Sequence, residues 1–125
     1  MLRQIKTPSA PAAIGPYSQA IVLDKMVYTS GQIPIIPETG AIAEGGIAEQ
    51  AEQVMKNLGA VLEASGADFA TAVKTTCFLA DMNDFAAFNE VYAKYFTGHP
   101  ARSCVAVKDL PKGVLVEVEA VAFVS

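Results

Sequence analysis

The chain is poor in the side chains that build metal centres and disulfide frameworks. Its 125 residues include a single histidine, His99, and two cysteines, Cys77 and Cys104. Structural zinc usually takes four cysteine or histidine ligands, so the sequence predicts no metal site. Two cysteines cannot make a disulfide framework, and free thiols are typical of reducing compartments, so we expect a cytoplasmic protein.

Clustered positive charge is also missing. The formal net charge is -4 and the sequence pI is about 4.8. Nucleic-acid binding draws on grouped Lys and Arg that displace counterions from phosphates. Lys108 and Lys112 are sparse and interrupted by Asp109. The charge pattern argues against nucleic acid as a partner, although one local basic site for a small anion is compatible with it.

No apolar run approaches the roughly 18–20 residues that a membrane span requires. The first six residues carry charge with no apolar stretch behind it, so we expect no signal peptide and no membrane partner.

Apolar residues, by contrast, are in excess. They make up 52% of the chain and charged residues only 18%, against typical shares of about 45–50% and about 25%. A length of 125 residues suits one domain, residues 1–125. So much apolar content in a small domain indicates a second buried surface, most simply an interface between subunits.

Hydrophobic periodicity predicts six strands and two helices. The clearest helix begins at Ile47, keeps an apolar stripe through Leu62 and stops at Gly66, and the second begins at a cap, Asn83 or Asp84, and runs to Phe96. The predicted strands are residues 2–6, 17–23, 26–33, 72–80, 102–107 and 115–124. The order β-β-β-α-β-α-β-β predicts an α+β fold, in which both helices cover one face of a single mixed sheet.

The last strand has two unlike faces. Val116, Val118, Ala120 and Ala122 alternate on one side, which suits packing beneath helices. The other side mixes two carboxylates with large apolar groups (Leu115, Glu117, Glu119, Val121 and Phe123). A solvated face would not need the large apolar groups, and the core of a single subunit would not hold two carboxylates. Burial against another subunit, with a polar cleft at the interface, accommodates both. We expect Arg102 and Cys104 to lie on the same side as Glu117.

Arg102 is the best candidate for chemistry, because its planar fork matches a carboxylate with two parallel hydrogen bonds. Glu117 is a candidate general base for water, and Glu119 is not separable from it by pattern alone. The competing interpretation for all three is an interfacial ion pair. A nucleophilic Cys104 would need His99 as its base, because His99 is the only histidine. The pattern favours the other interpretation, in which Cys104 is a small strand residue that lines a pocket.

Three weaker candidates remain. Tyr17 is either a pocket hydroxyl or a half-buried aromatic residue, and Asn89 is either a ligand contact or a solvated helix position. Ser30-Gly31 interrupts a strand, where glycine often marks the close approach of a ligand.

Three separated blocks together resemble the RidA (YjgF) family over essentially the whole chain. They are the PAAIGPYSQA segment at residues 11–20 with TSGQIP at 29–34, PARSCV at 100–105, and VEVEA at 116–120. The resemblance implies a homotrimer with a chorismate-mutase-like fold and ligand clefts between subunits. It also implies a 2-iminobutanoate/2-iminopropanoate deaminase, which hydrolyses reactive imines and enamines to 2-oxo acids and ammonia with no cofactor.

The resemblance further implies roles for individual residues. Arg102 would hold the substrate carboxylate, the backbone of Gly31 and Cys104 would bind the ligand, and Glu117 would position or activate water. Tyr17, Ser30 and Asn89 match further cleft residues. The segment from 96 to 100 is shorter than in some members and borders the arginine, which bears on substrate size. Three alternatives stay open: a non-catalytic 2-oxo acid sensor, an endoribonuclease or translation inhibitor, and a holdase-like chaperone.

Overall fold

Strands and helices follow one another along the chain in the predicted order, in a computed structural model that describes residues 1–125. The helices are α1 (Ile47–Ala64) and α2 (Phe85–Tyr95). The strands are β1 (Leu2–Ile5), β2 (Ala20–Leu23), β3 (Met26–Thr29), β4 (Ala72–Leu79), β5 (Ala101–Ala106) and β6 (Val116–Phe123). The predicted α+β class is confirmed.

The six strands form one mixed sheet in the order β1-β2-β3-β6-β4-β5. Every neighbouring pair is antiparallel except β4 and β5, which are parallel. A parallel pair needs a crossover connection, and α2 supplies it. The strand that carries Arg102 is therefore an edge strand with α2 as its chain neighbour.

Two strands are shorter than the sequence predicted: β2 begins later, and β3 ends earlier. The backbone N–H of Tyr17 donates to Gly15 O at 2.8 Å, so residues 15–17 form a tight turn before β2 begins. After Thr29 the chain leaves β2, and Gln32 instead forms an isolated antiparallel bridge with Val118 of β6. This bridge brings the segment from Ser30 to Gln32 alongside the middle of β6.

The start of α2 agrees with the expectation in position. Asp84, one of the two predicted candidates, is the N-cap residue, but its side chain makes no cap hydrogen bond. Instead the Asp81 carboxylate accepts from the N–H of Asn83 at 2.8 Å and caps a short 3-10 turn, Met82–Asp84, that leads into α2. The predicted stop of α1 is confirmed, since Gly66 adopts a φ of +85°, which favours glycine.

The core lies between the sheet and the helices. On β6, Val116, Val118, Ala120 and Ala122 are at most 3% exposed, and they face the apolar stripe of α1. The alternate residues of β6 are partly or largely exposed on the opposite face of the sheet. Neither helix is long and apolar enough to cross a membrane. The two-faced character predicted for the last strand is confirmed.

Candidate functional site

Arg102 lies on the helix-covered side of edge strand β5. In the parallel register it stands opposite Thr75, a fully buried residue of β4. Its Nη1 donates to Asn89 Oδ1 of α2 at 2.7 Å. Its guanidinium carbon Cζ lies 4.7 Å from the ring centroid of Tyr92 and 5.4 Å from that of Phe85. The guanidinium is thus held against α2 by one hydrogen bond and two aromatic rings.

The three residues that hold Arg102 share one stripe of α2. Phe85, Asn89 and Tyr92 are spaced i, i+4 and i+7, which places them on a single helix face. From the sequence, Asn89 is either a ligand contact or a solvated helix position, and its two aromatic neighbours on this face were not connected with Arg102. A polar residue inside an aromatic stripe was the signal that could have joined them.

No carboxylate of the chain pairs with Arg102. The two ion pairs present join the N-terminus to Asp24 and Lys94 to Glu52. The Arg102–Glu117 and Arg102–Glu119 ion pairs considered from the sequence do not form within the chain. Asn89 accepts one of the five N–H donors that a guanidinium carries, and the half-buried fork keeps the others for an external acceptor.

The expected proximity of Arg102 and Cys104 to Glu117 is wrong within one chain. Arg102 is opposite Thr75 and Cys104 is opposite Cys77, and both partners are fully buried beneath the helices. Glu117 is opposite Phe78, the intervening residue of β4, so its side chain projects from the other face. Alternation shows which residues share a face, but it does not show which face the helices cover.

Glu117 belongs to a second group of residues, built around Gly31. The bridge between Gln32 and Val118 brings Gly31 alongside β6, and the Glu117 side chain lies against it. A Cβ atom on Gly31 would come within 1.9 Å of Glu117 Oε2, so only glycine leaves room for the carboxylate here. Burial, and then the negative charge of Glu119, raises the pKa of Glu117 above its usual 4.5. A carboxylate with a raised pKa is a stronger proton acceptor when ionised.

Ser30 and Tyr17 adjoin this second group. The Ser30 hydroxyl donates to Ser18 O at 2.6 Å, and the Ser30 N–H donates to Gln19 O at 2.9 Å. Tyr17 is half exposed. Gln19, which the sequence analysis did not single out, is buried and uses its amide to hold Thr7 and Pro11. This amide fixes the loop that presents Tyr17.

The Cys104 side chain is partly buried and packs against the core beside Cys77, and both thiols are free. Burial raises the pKa of Cys104, and it raises the pKa of Cys77 to about 12. His99 is exposed in the turn after α2, so no base activates the thiol. The backbone is different: Val107 N–H donates to Leu79 O of β4, and by alternation the N–H of Cys104 points to the free edge.

The face of the sheet that carries Glu117 is open and largely apolar. Leu23, Tyr28, Val105 and Phe123 are each 45% exposed, and the strand register places all four on this face. Several large apolar residues exposed on one sheet face of a small domain are typical of an interaction site. No helix of the chain covers it.

The chain is similar to several known proteins. Residues 7–124 match the family model described as endoribonuclease L-PSP. The chain is 52% identical to a 2-iminobutanoate/2-iminopropanoate deaminase of Homo sapiens, over 96% of this chain and 88% of that protein. It is 52% identical to the protein of the same name from Salmonella typhimurium, over 98% of each chain. The crystal structure of E. coli TdcF with bound serine superposes with a TM-score of 0.92 at 46% identity, covering 98% of this chain and 99% of that one.

Proposed function

The chain belongs to the endoribonuclease L-PSP family, and from this premise we propose that it is a 2-iminobutanoate/2-iminopropanoate deaminase that uses Arg102 to hold its substrate. It is a hydrolase of the C–N bond of imines. The single observation that supports the assignment within the chain is a half-buried, oriented guanidinium with no carboxylate partner of its own. The substrates carry the carboxylate that such a fork binds.

The reaction needs few groups. Water adds to the C2 carbon of the imine, and the resulting carbinolamine releases ammonia and leaves a 2-oxo acid. Arg102 fixes the carboxylate, with charge-assisted hydrogen bonds that contribute about 1.5–3 kcal/mol each. Glu117 accepts the proton of the attacking water and passes it to the imine nitrogen. As the C–N bond of the carbinolamine breaks, the proton of its hydroxyl goes to the nitrogen, which leaves as ammonia. The free imine hydrolyses unaided, so positioning and one general base, worth about 10²–10⁴-fold, suffice without a cofactor.

We further propose that each cleft is completed by two subunits of a homotrimer. Arg102 and Glu117 lie on opposite faces of one sheet, so one chain does not present both to the same small molecule. The open apolar face beside Glu117 provides a surface for a second copy. In this arrangement Asn89, Arg102 and the backbone of Cys104 come from one subunit, and Tyr17, Ser30, Gly31 and Glu117 from its neighbour. The free thiols are compatible with a cytoplasmic location.

A coupled assay tests the deaminase assignment. Threonine dehydratase generates the imine, and the appearance of 2-oxobutanoate is followed with and without the purified chain. Wild type should accelerate it, Arg102→Ala should abolish the acceleration, and Arg102→Lys should lose most of it because a point charge lacks the fork. Unchanged acceleration in Arg102→Ala would refute the role of Arg102.

Two further measurements on the same variants separate the alternatives. A non-catalytic sensor would bind 2-oxobutanoate in calorimetry with no effect on the rate. An endoribonuclease would cleave RNA after strict repurification, with or without Arg102. The net charge of -4 gives no support to RNA binding.

A further inference from the structure

Tyr92 connects the hydrophobic core to the cation that we assign to the substrate. It is 8% exposed and stacks on Phe96, with 4.7 Å between the ring centroids. The centroid of the same ring lies 4.7 Å from Cζ of Arg102. A guanidinium is attracted to the face of an aromatic ring at this separation, and its plane is then restricted. A core ring with fixed neighbours therefore supports the guanidinium of Arg102.

The hydroxyl of Tyr92 is attached to the sheet. Tyr92 Oη lies 2.8 Å from Oγ1 of Thr75, which is fully buried. Thr75 is also the residue that faces Arg102 across the β4–β5 register. The hydrogen bond thus fixes the ring of Tyr92 relative to the strand position from which Arg102 projects. Two elements, α2 and β4, determine where this ring lies.

Arginine needs this support because its long side chain is flexible, whereas bidentate binding requires one orientation of the fork. Asn89 fixes the position of Nη1, but a single hydrogen bond leaves the guanidinium free to rotate about it. Contact with a ring restricts the plane as well. The ring of Phe85 lies farther away, at 5.4 Å from Cζ, so Tyr92 is the closer support.

Resting on the proposed deaminase function, we infer that Tyr92 is a positioning residue: its ring sets the plane of the Arg102 guanidinium for bidentate capture of the substrate carboxylate, and Thr75 holds that ring in place. Tyr92 acts through Arg102 and does not touch the reacting atoms. The carboxylate is held equally before and during the reaction, so loss of Tyr92 weakens binding more than it slows turnover.

Removing the ring should therefore separate KM from kcat. Tyr92→Leu should raise KM for 2-iminobutanoate, and Kd for 2-oxobutanoate, about tenfold, and kcat should change less than about twofold. Tyr92→Met is a second variant that fills the core with a flexible side chain, and it should give the same pattern if the leucine variant folds poorly. A purely structural role would reduce the folded fraction and leave KM unchanged.

Three controls sharpen the test. The double variant Thr75→Val with Tyr92→Phe keeps the ring but removes the hydrogen bond that holds it, so KM should rise about threefold, less than in Tyr92→Leu. Tyr95→Leu removes another tyrosine ring from α2, one whose hydroxyl donates to Glu52, and it should leave KM unchanged. In the Arg102→Lys background, Tyr92→Leu should have little further effect on Kd, because lysine has no plane to orient.

The outcomes separate a failure of the positioning role of Tyr92 from a failure of the proposed deaminase function. If Arg102→Ala loses activity while a folded Tyr92→Leu keeps wild-type KM and Kd, the positioning role is wrong and the deaminase assignment stands. If Arg102→Ala keeps full activity, the proposed role of Arg102 fails first. An equal penalty from Tyr92→Leu in the wild-type and Arg102→Lys backgrounds would also overturn the inference.

Discussion

Arg102 and Glu117 project from opposite faces of the same sheet, because Arg102 is paired with Thr75 and Glu117 with Phe78 in the register of β4 with its two neighbours. The guanidinium rests against α2, and the carboxylate lies beside Gly31. Under the proposed function, each chain therefore carries two separate half-sites, one that would bind an anion and one that would accept a proton.

Mixing two inactive variants tests whether half-sites from different subunits meet. Arg102→Ala and Glu117→Ala should each be inactive alone. Equal amounts that are unfolded and refolded together should regain about a quarter of wild-type activity, because in randomly mixed closed trimers one cleft in four receives both intact residues. The coupled assay measures the gain, and light scattering checks the mass. A mixture that stays inactive although mixed trimers form would show that the cleft lies within one chain.

Gly31→Ala should displace the Glu117 carboxylate, since the new Cβ would lie 1.9 Å from Oε2. The clash involves the end of a flexible side chain, so we expect only about 1 kcal/mol lower stability together with a roughly 10²-fold lower kcat. Gly98→Ala is the matched control, because its Cβ would meet nothing nearer than Ala70 O at 3.8 Å. Full activity in Gly31→Ala would argue against Glu117 as the base.

The pH dependence should report Glu117. As a general base it must be ionised, so the acidic limb of kcat/KM should follow its pKa, which burial and the charge of Glu119 raise. Glu119→Gln removes a like charge, so the pKa of Glu117 should fall and the limb should move to lower pH. Glu44→Gln, in an exposed loop, should leave the limb in place. An acidic limb that stays in place in Glu119→Gln would contradict the assignment of Glu117 as the general base.

Cys104→Ser should keep deaminase activity within about threefold, because the proposed contact uses the backbone N–H and not the thiol. The raised pKa of Cys104 leaves little thiolate at neutral pH, so iodoacetamide should modify it more slowly than free cysteine. Mass spectrometry follows the alkylation. A loss of activity beyond about 10²-fold in Cys104→Ser would reveal thiol chemistry that the present assignment excludes.

The sequence predicted the layers of this fold well, because its strongest patterns are periodic. The stripe of α1 and the alternation along β6 both repeat over many residues, and each is confirmed. Strand ends were less predictable, since the turn at Tyr17 and the bridge at Gln32 depend on single backbone hydrogen bonds.

The candidate site was predictable residue by residue but not in its arrangement. The side to which Arg102 turns is decided by the stripe of Phe85, Asn89 and Tyr92 on α2, a contact between elements that no pattern within β5 reveals. For the same reason Tyr92 was not among the residues singled out from the sequence. Its hydrogen bond to Thr75 becomes visible only when the sheet register is known.

The parallel crossover from β4 through α2 to β5 has a consequence for how such proteins diversify. Arg102, the α2 residues that contact its guanidinium, and Thr75, which bonds the Tyr92 hydroxyl, all lie in one uninterrupted stretch of about thirty residues. Replacing that stretch with the same stretch of a relative should transfer the relative's specificity for carboxylic acids in a single exchange. The group around Gly31 and Glu117 lies elsewhere in the chain and would be unchanged by the exchange.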